Sequence, residues 1–252
     1  MFLKILSTFI LLFYTSLMAN SSKPTLIFYC GITMIKPIKE MAKVIENKYN
    51  CIIKISQGGS KDLYDSIKYS QIGDLFLPGS DFYRKNNLKD GILLDAVEIG
   101  YNKAAIFIRK DKHIKNISLD DFNNPDFSLI LCDPKTGSIG RETEQILKKY
   151  KGEQFFYQAY DNAVNIGIDS KTLNKALRDK QADLTINWRS TGFWEENNKH
   201  VNIIEIDEKY AQKKILKISL LKFSKNKDIA KKFMQFASSS EGKKIMKKYG
   251  FL

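Results

Sequence analysis

Cysteine and histidine are scarce in this 252-residue chain, with three of the first and two of the second. Three cysteines are too few for the disulfide framework that small secreted domains use. Cys30 closes one expected strand and Cys51 opens another, and in neighbouring parallel strands those ends lie too far apart for a disulfide. Three buried or partly buried free thiols are therefore expected. His113 and His200 stand in no metal-ligand spacing, and no nucleophile–base constellation or clustered acid pair is visible. These absences argue against a metal, a cofactor and an enzyme. Also missing are tandem repeats, low-complexity stretches, a Pro/Gly-rich linker and, after residue 19, any apolar run long enough to span a bilayer.

What is present begins at Met1. Residues 1–19 carry a single charge, Lys4, followed by an apolar run through Ile5–Tyr14 and on to Leu17 and Met18, which stops at Ala19. A basic start, a short apolar core and a small residue at the cut describe a secretory signal peptide. The run is short for a membrane anchor and is interrupted by Ser7, Thr8, Thr15 and Ser16. The expectation is a periplasmic protein with no stable membrane insertion after signal removal.

About 230 residues remain, enough for a large core or two linked lobes. The balance is basic, at 41 Lys+Arg against 28 Asp+Glu, or a formal net charge of +13. Such a surface suits nucleic acid, anionic lipid or a small anion. Export disfavours nucleic acid. The lysines are spread rather than clustered, so most belong to solvated faces.

Along the chain, strands alternate with helices. Leu26–Cys30, Cys51–Ile55 and Asp74–Leu77 read as short apolar strands. Between them, Pro37–Tyr49 and Asp62–Tyr69 read as helices; Ile38, Met41, Ala42 and Ile45 recur at helical spacing in the first. This βαβαβ run predicts a doubly wound sheet. Ala96–Arg109 is one long extended segment. Leu129–Cys132, Asp183–Trp188, Val201–Ile206 and Ile215–Phe223 are further strands. Arg141–Tyr150, Ser170–Asp179, Asp228–Ala237 and Glu241–Tyr249 are helices. Two α/β lobes with a double crossover fit this order, lobe I from residues 20–103 plus 201–252 and lobe II from 104–200. One continuous sheet is the alternative.

Ligands of open α/β sheets sit at the carboxyl ends of strands. Those ends here carry Gly31 and Thr33, then Gly58, Gly59 and Ser60, then Gly79 and Ser80. The second unit adds Gly137, Ser138, Ile139, Gly140 and Arg141, then Ser170 and Lys171 at a helix start, then Asn187 and Arg189. Glycines let backbone N–H groups approach a ligand, and hydroxyls and helix N-termini supply hydrogen bonds and positive partial charge. The same residues are also ordinary turn and cap residues. Their recurrence after successive strands favours a dehydrated anion held without a metal. Arg141 at a helix start opposes the helix dipole unless an anion bridges the two. Arg189 is a ligand contact or an interdomain clamp. Trp188 and Trp194 read as core or hinge packing, or as the floor of an apolar or sugar pocket.

These segments resemble the molybdate-type periplasmic binding proteins of ABC importers, members of the type II solute-binding family. FYCGITMIKPIKEMA (28–42), ISQGGSKDLYDSI (55–67) and GDLFLPGSD (73–81) are similar to that family's first lobe. LILCDPKTGSIGRE (129–142) and ALRDKQADLTINW (176–188) are similar to its second lobe, and IAKKFMQFASSSEGKKIMKKYGF (229–251) to its terminal helices. The resemblance implies a two-lobe fold with the ligand cleft between lobes, an ABC permease as partner and a monomer. It implies that Thr33 and Ser60 hold the oxyanion through hydroxyls and that the Ser138–Ile139 loop donates a backbone amide. At the family's tyrosine position this chain has Asn187, and it adds arginines to a set of neutral donors. Molybdate, tungstate or another tetrahedral anion therefore stays open as ligand. The chain more loosely resembles host-associated antigens and colonisation factors, which implies a binding or sensory protein for a phosphorylated or carboxylated small acid.

Overall fold

A computed structural model of the protein describes residues 23–114 and 116–252; the expected signal peptide lies outside the described residues. The chain opens with β1 (Thr25–Gly31), whose Leu26, Phe28 and Cys30 are fully buried. A 3₁₀ turn (Ile32–Met34) leads into α1 (Ile35–Tyr49), which buries Ile38, Met41, Ala42 and Ile45 and stops where Asn50 turns left-handed. Then follow β2 (Ile52–Gly58), α2 (Ser60–Ser70) and β3 (Leu75–Leu77). β1 pairs in parallel with both β2 and β3. After α3 (Asp81–Asn87) comes β4 (Leu93–Asn102).

At Lys103 the chain leaves this sheet. The extended segment expected over residues 96–109 is two strands in two sheets, because β5 (Ala104–Arg109) is buried almost throughout and pairs elsewhere. β6 (Ile130–Cys132), α4 (Ser138–Lys151), α5 (Glu153–Asp161), β7 (Asn165–Gly167), α6 (Ser170–Arg178), β8 (Leu184–Trp188), α7 (Glu195–Asn198) and β9 (Val201–Glu205) follow. β5 lies between antiparallel β8 and β9, and β6 and β7 form a parallel pair that a bridge from Leu129 to Leu184 joins to β8.

β10 (Lys214–Leu221) returns to the first sheet, between β3 and β4 and antiparallel to both. That sheet has the order β2-β1-β3-β10-β4. α8 (Lys227–Ser238) and α9 (Ser240–Lys248) cover it. The second unit therefore extends past the expected limit at residue 200. Five register pairs tie β9 to β5, so the chain crosses back only after Glu205.

The fold is α/β with mixed sheets, and the cores follow the sheets. Leu26, Phe28, Leu75, Ile218, Phe233 and Met246 belong to one buried cluster, with the Phe233 ring edge-on to Phe28 at 5.2 Å. Phe107, Leu131, Ile146, Leu173 and Leu184 belong to another. Each such side chain contributes roughly 1.5–3 kcal/mol by burial, so each unit carries its own stabilising centre. All three cysteines are buried and free. No described helix is long and apolar enough to cross a membrane.

Candidate functional site

The carboxyl ends of β1, β2 and β3 face the start of α4 across a cavity of about 280 Å³. Gly31 and Thr33, then Gly59 and Ser60, and Gly79 line it from the first unit. Thr136, Gly137, Ser138, Ile139 and Ser170 line it from the second. The sequence places small residues here for a steric reason. A β-carbon on Gly31 would lie 2.7 Å from Met34 Cε and 3.2 Å from the Gly79 nitrogen, and one on Gly137 would lie 2.3 Å from Cys132 Sγ.

Hydroxyls converge on this space. The Gly79 N–H donates to Ser60 Oγ at 2.9 Å, which fixes the α2 start beneath the β3 loop. Ser138 Oγ accepts from Trp188 Nε1 at 3.3 Å. Thr33 donates to the Met34 thioether at 2.8 Å, a weak acceptor that a better one would displace. The 3₁₀ turn, α2 and α4 are capped by Gly31, Gly59 and Gly137, none of which supplies a side-chain cap. Their first-turn N–H groups thus lack a capping acceptor where the helix dipole favours negative charge. α6 differs, because Asp169 Oδ1 accepts the Thr172 N–H at 2.8 Å.

Several predicted residues lie elsewhere. α4 begins at Ser138, not Arg141, so Arg141 sits a turn inside the helix and lines an adjoining cavity of about 240 Å³ together with Ser80. Its guanidinium lies over the Tyr83 ring at 5.2 Å, Nη1 donates to the Pro134 carbonyl at 3.2 Å, and burial lowers its pKa. It remains cationic, since its ordinary value is far above neutrality. Gly140 packs against β6, where a β-carbon would meet the Asp133 carbonyl at 2.4 Å. Lys171 is exposed and lines a separate cavity beside Trp194 and Glu196.

Asn187 is fully buried and lines none of these cavities. Its Nδ2 donates to the Ser170 carbonyl at 3.1 Å and to Asn174 Oδ1 at 3.0 Å, and its Oδ1 accepts the Trp188 N–H at 2.8 Å. It holds α6 against β8. Arg189 sits at the crossovers: Nη1 donates to the Gly250 carbonyl at 2.7 Å, Nε to Glu205, and its backbone N–H to the Lys103 carbonyl at 2.8 Å. Lys103 also pairs with Glu205 at 3.5 Å, so this cluster joins both crossing strands.

Tyr83 was not anticipated and lines both cavities. Its helix α3 is short and largely exposed, with only Asp81 buried, so it carries no apolar periodicity. The Gly79–Ser80–Asp81 sequence before it, a turn followed by a cap residue and an acid, was the available signal. Further cross-unit contacts join Lys36 to Glu196 and Lys214 to Glu142, the latter at 2.8 Å. Among the described residues no cluster of three His, Cys, Asp or Glu could hold a metal.

Residues 26–252 match the bacterial extracellular solute-binding proteins. The chain belongs to that family. A protein of Haemophilus influenzae named as a binding protein is 25% identical over 227 residues, covering 90% of each chain. Two solved structures share the fold. The substrate-binding domain of a molybdenum ABC transporter from Clostridium difficile has a TM-score of 0.72 at 20% identity, covering 91% of this chain and 98% of that one. Peb3, known from Campylobacter jejuni and solved with L-phospholactate bound, has a TM-score of 0.72 at 18% identity, covering 90% and 98%. At these identities the likeness concerns fold alone, and it agrees with the two-lobe α/β class expected from the sequence.

Proposed function

We propose that the protein is a periplasmic solute-binding protein that closes two lobes around a small oxyanion and delivers it to an ABC permease, without catalysis. The observation that carries this reading is the cavity between the units, where Ser60 and Ser138 bring hydroxyls from opposite sides and glycine-capped helix starts leave N–H groups for an acceptor. Neutral donors of this kind suit a fully dehydrated anion, because they neutralise charge without a fixed counter-ion. Closure follows from differential binding: the ligand gains donors from both lobes only when they meet.

A thermal-shift panel tests this. Molybdate, tungstate, sulfate, phosphate and small organic acids are each added to the purified chain. A ligand at 100 times its dissociation constant adds about 2.7 kcal/mol of stability. No shift with any anion counts against the reading.

A second reading, a sensory or colonisation protein for a phosphorylated or carboxylated small acid, is supported by Arg141 beside the hydroxyl cavity. A neighbouring permease and ATPase gene pair supports import, and a neighbouring sensor kinase gene supports sensing.

A further inference from the structure

The second cavity shares Tyr83 and Ser138 with the first, so the two are compartments of one cleft. Their chemistry differs. The first offers hydroxyls and helix starts. The second is lined by Asp81, Tyr83, Arg141, Gln145 and Trp188. Two of these residues carry buried polar atoms without a hydrogen-bond partner. Both carboxylate oxygens of Asp81 lack a donor, with Arg84 and Lys85 standing off at 3.7 and 3.6 Å, and Arg141 Nη2 lacks an acceptor.

A buried group left unpaired is costly, so such groups call for a partner. Here one partner must donate and another must accept. A fully deprotonated oxyanion such as molybdate or sulfate only accepts, so it could satisfy Arg141 but offers nothing to the Asp81 oxygens. A hydroxyl does both at once. The Tyr83 and Trp188 rings beside these groups add flat apolar walls for a short carbon chain.

We propose that this second compartment binds the hydroxylated carbon tail of a phosphate monoester, so that the physiological ligand is a small polyol or sugar phosphate. The phosphate occupies the hydroxyl cavity, and the tail passes Ser138 and Tyr83 to reach Asp81 and Arg141. The unpaired atoms are closed off from water in this structure. The tail therefore enters while the units stand apart and is enclosed as Arg141 and Tyr83 come together. The proposal rests on the oxyanion reading of the first cavity.

Titration calorimetry on the purified chain separates the two ideas. The probes are inorganic phosphate, molybdate, glycerol 3-phosphate, a hexose 6-phosphate and the free hexose. The expected result is that at least one ester binds about tenfold or more tighter than either inorganic anion, a difference of about 1.4 kcal/mol. The ratio of ester to phosphate affinity then falls in Asp81→Asn and in Arg141→Gln. If Asp81→Asn does not fold, Arg141→Gln decides alone. Inorganic anions binding as tightly as both esters would overturn this proposal and leave the oxyanion reading intact. So would an unchanged ratio in a folded variant. Failure of every phosphate and of molybdate to bind would overturn both.

Discussion

Ser60 and Ser138, one on each α/β unit, aim their hydroxyls at the same point: a β-carbon added to Gly79 would lie 3.4 Å from Ser60 Oγ and 3.5 Å from Ser138 Oγ. That point is where the proposed anion gathers donors from both sides. Neither contact would be a clash, and the Gly79 backbone is not in the left-handed region. Gly79→Ala should therefore fold with little change in Tm but weaken oxyanion binding about tenfold or more, since its methyl group fills space the ligand needs. Calorimetry beside a melting curve reads both effects.

Asn187 gives the opposite pattern. Its amide is consumed inside the second unit by Ser170, Asn174 and Trp188. Asn187→Ala leaves buried groups unpaired and should cost roughly 1–3 kcal/mol of stability in denaturant unfolding. Anion affinity at a temperature where the variant is folded should change far less than in Gly79→Ala.

This contrast marks how far the sequence could be followed. The βαβαβ order and the Gly–Ser loops at Gly59–Ser60 and Gly137–Ser138 were legible, because apolar runs and steric glycines are local signals. Asn187 and Arg189 close a strand and were expected as ligand contacts, with an interdomain clamp as the alternative for Arg189, and the contacts of Arg189 to Gly250, Glu205 and Lys103 are those of a clamp. Where a strand-end side chain points is settled by its neighbours, and theirs are Ser170 and Glu205, far away in sequence. The limit between lobes expected after residue 103 lies where β4 gives way to β5, but the division of the extended segment 96–109 into two strands was hidden for the same reason: β4 and β5 are both extended and differ only in their partners. Tyr83 lay on a short exposed helix with no apolar periodicity, marked only by the turn and cap residues Gly79–Ser80–Asp81 at its start.

The cysteines give a chemical test of the core. Burial pushes the Cys132 thiol up to about 12, and burial raises Cys30 further still. Thiolate is the reactive form, so these thiols should be inert near neutrality. Mass spectrometry after iodoacetamide treatment should show no adduct on these two cysteines in the native protein and adducts on both after denaturation.

Asp111 gives a pH test remote from the cleft. Arg109 first and then Lys180 hold its carboxyl well below the usual range by hydrogen bonding. A depressed folded-state pKa stabilises above the unfolded value of about 3.9 and is lost as pH falls toward the folded one. Asp111→Asn should lower Tm at neutral pH, and the gap from wild type should narrow steadily below about pH 4. A gap constant with pH would assign the effect to packing.

The central claim is that both units bind one oxyanion, and a titration of Ser60→Ala, Ser138→Ala and the double variant tests it most directly. The account predicts that each single variant weakens the best-binding anion by about 1 kcal/mol or more, as loss of a hydrogen bond to a charged group does. Full wild-type affinity in both folded single variants would contradict it.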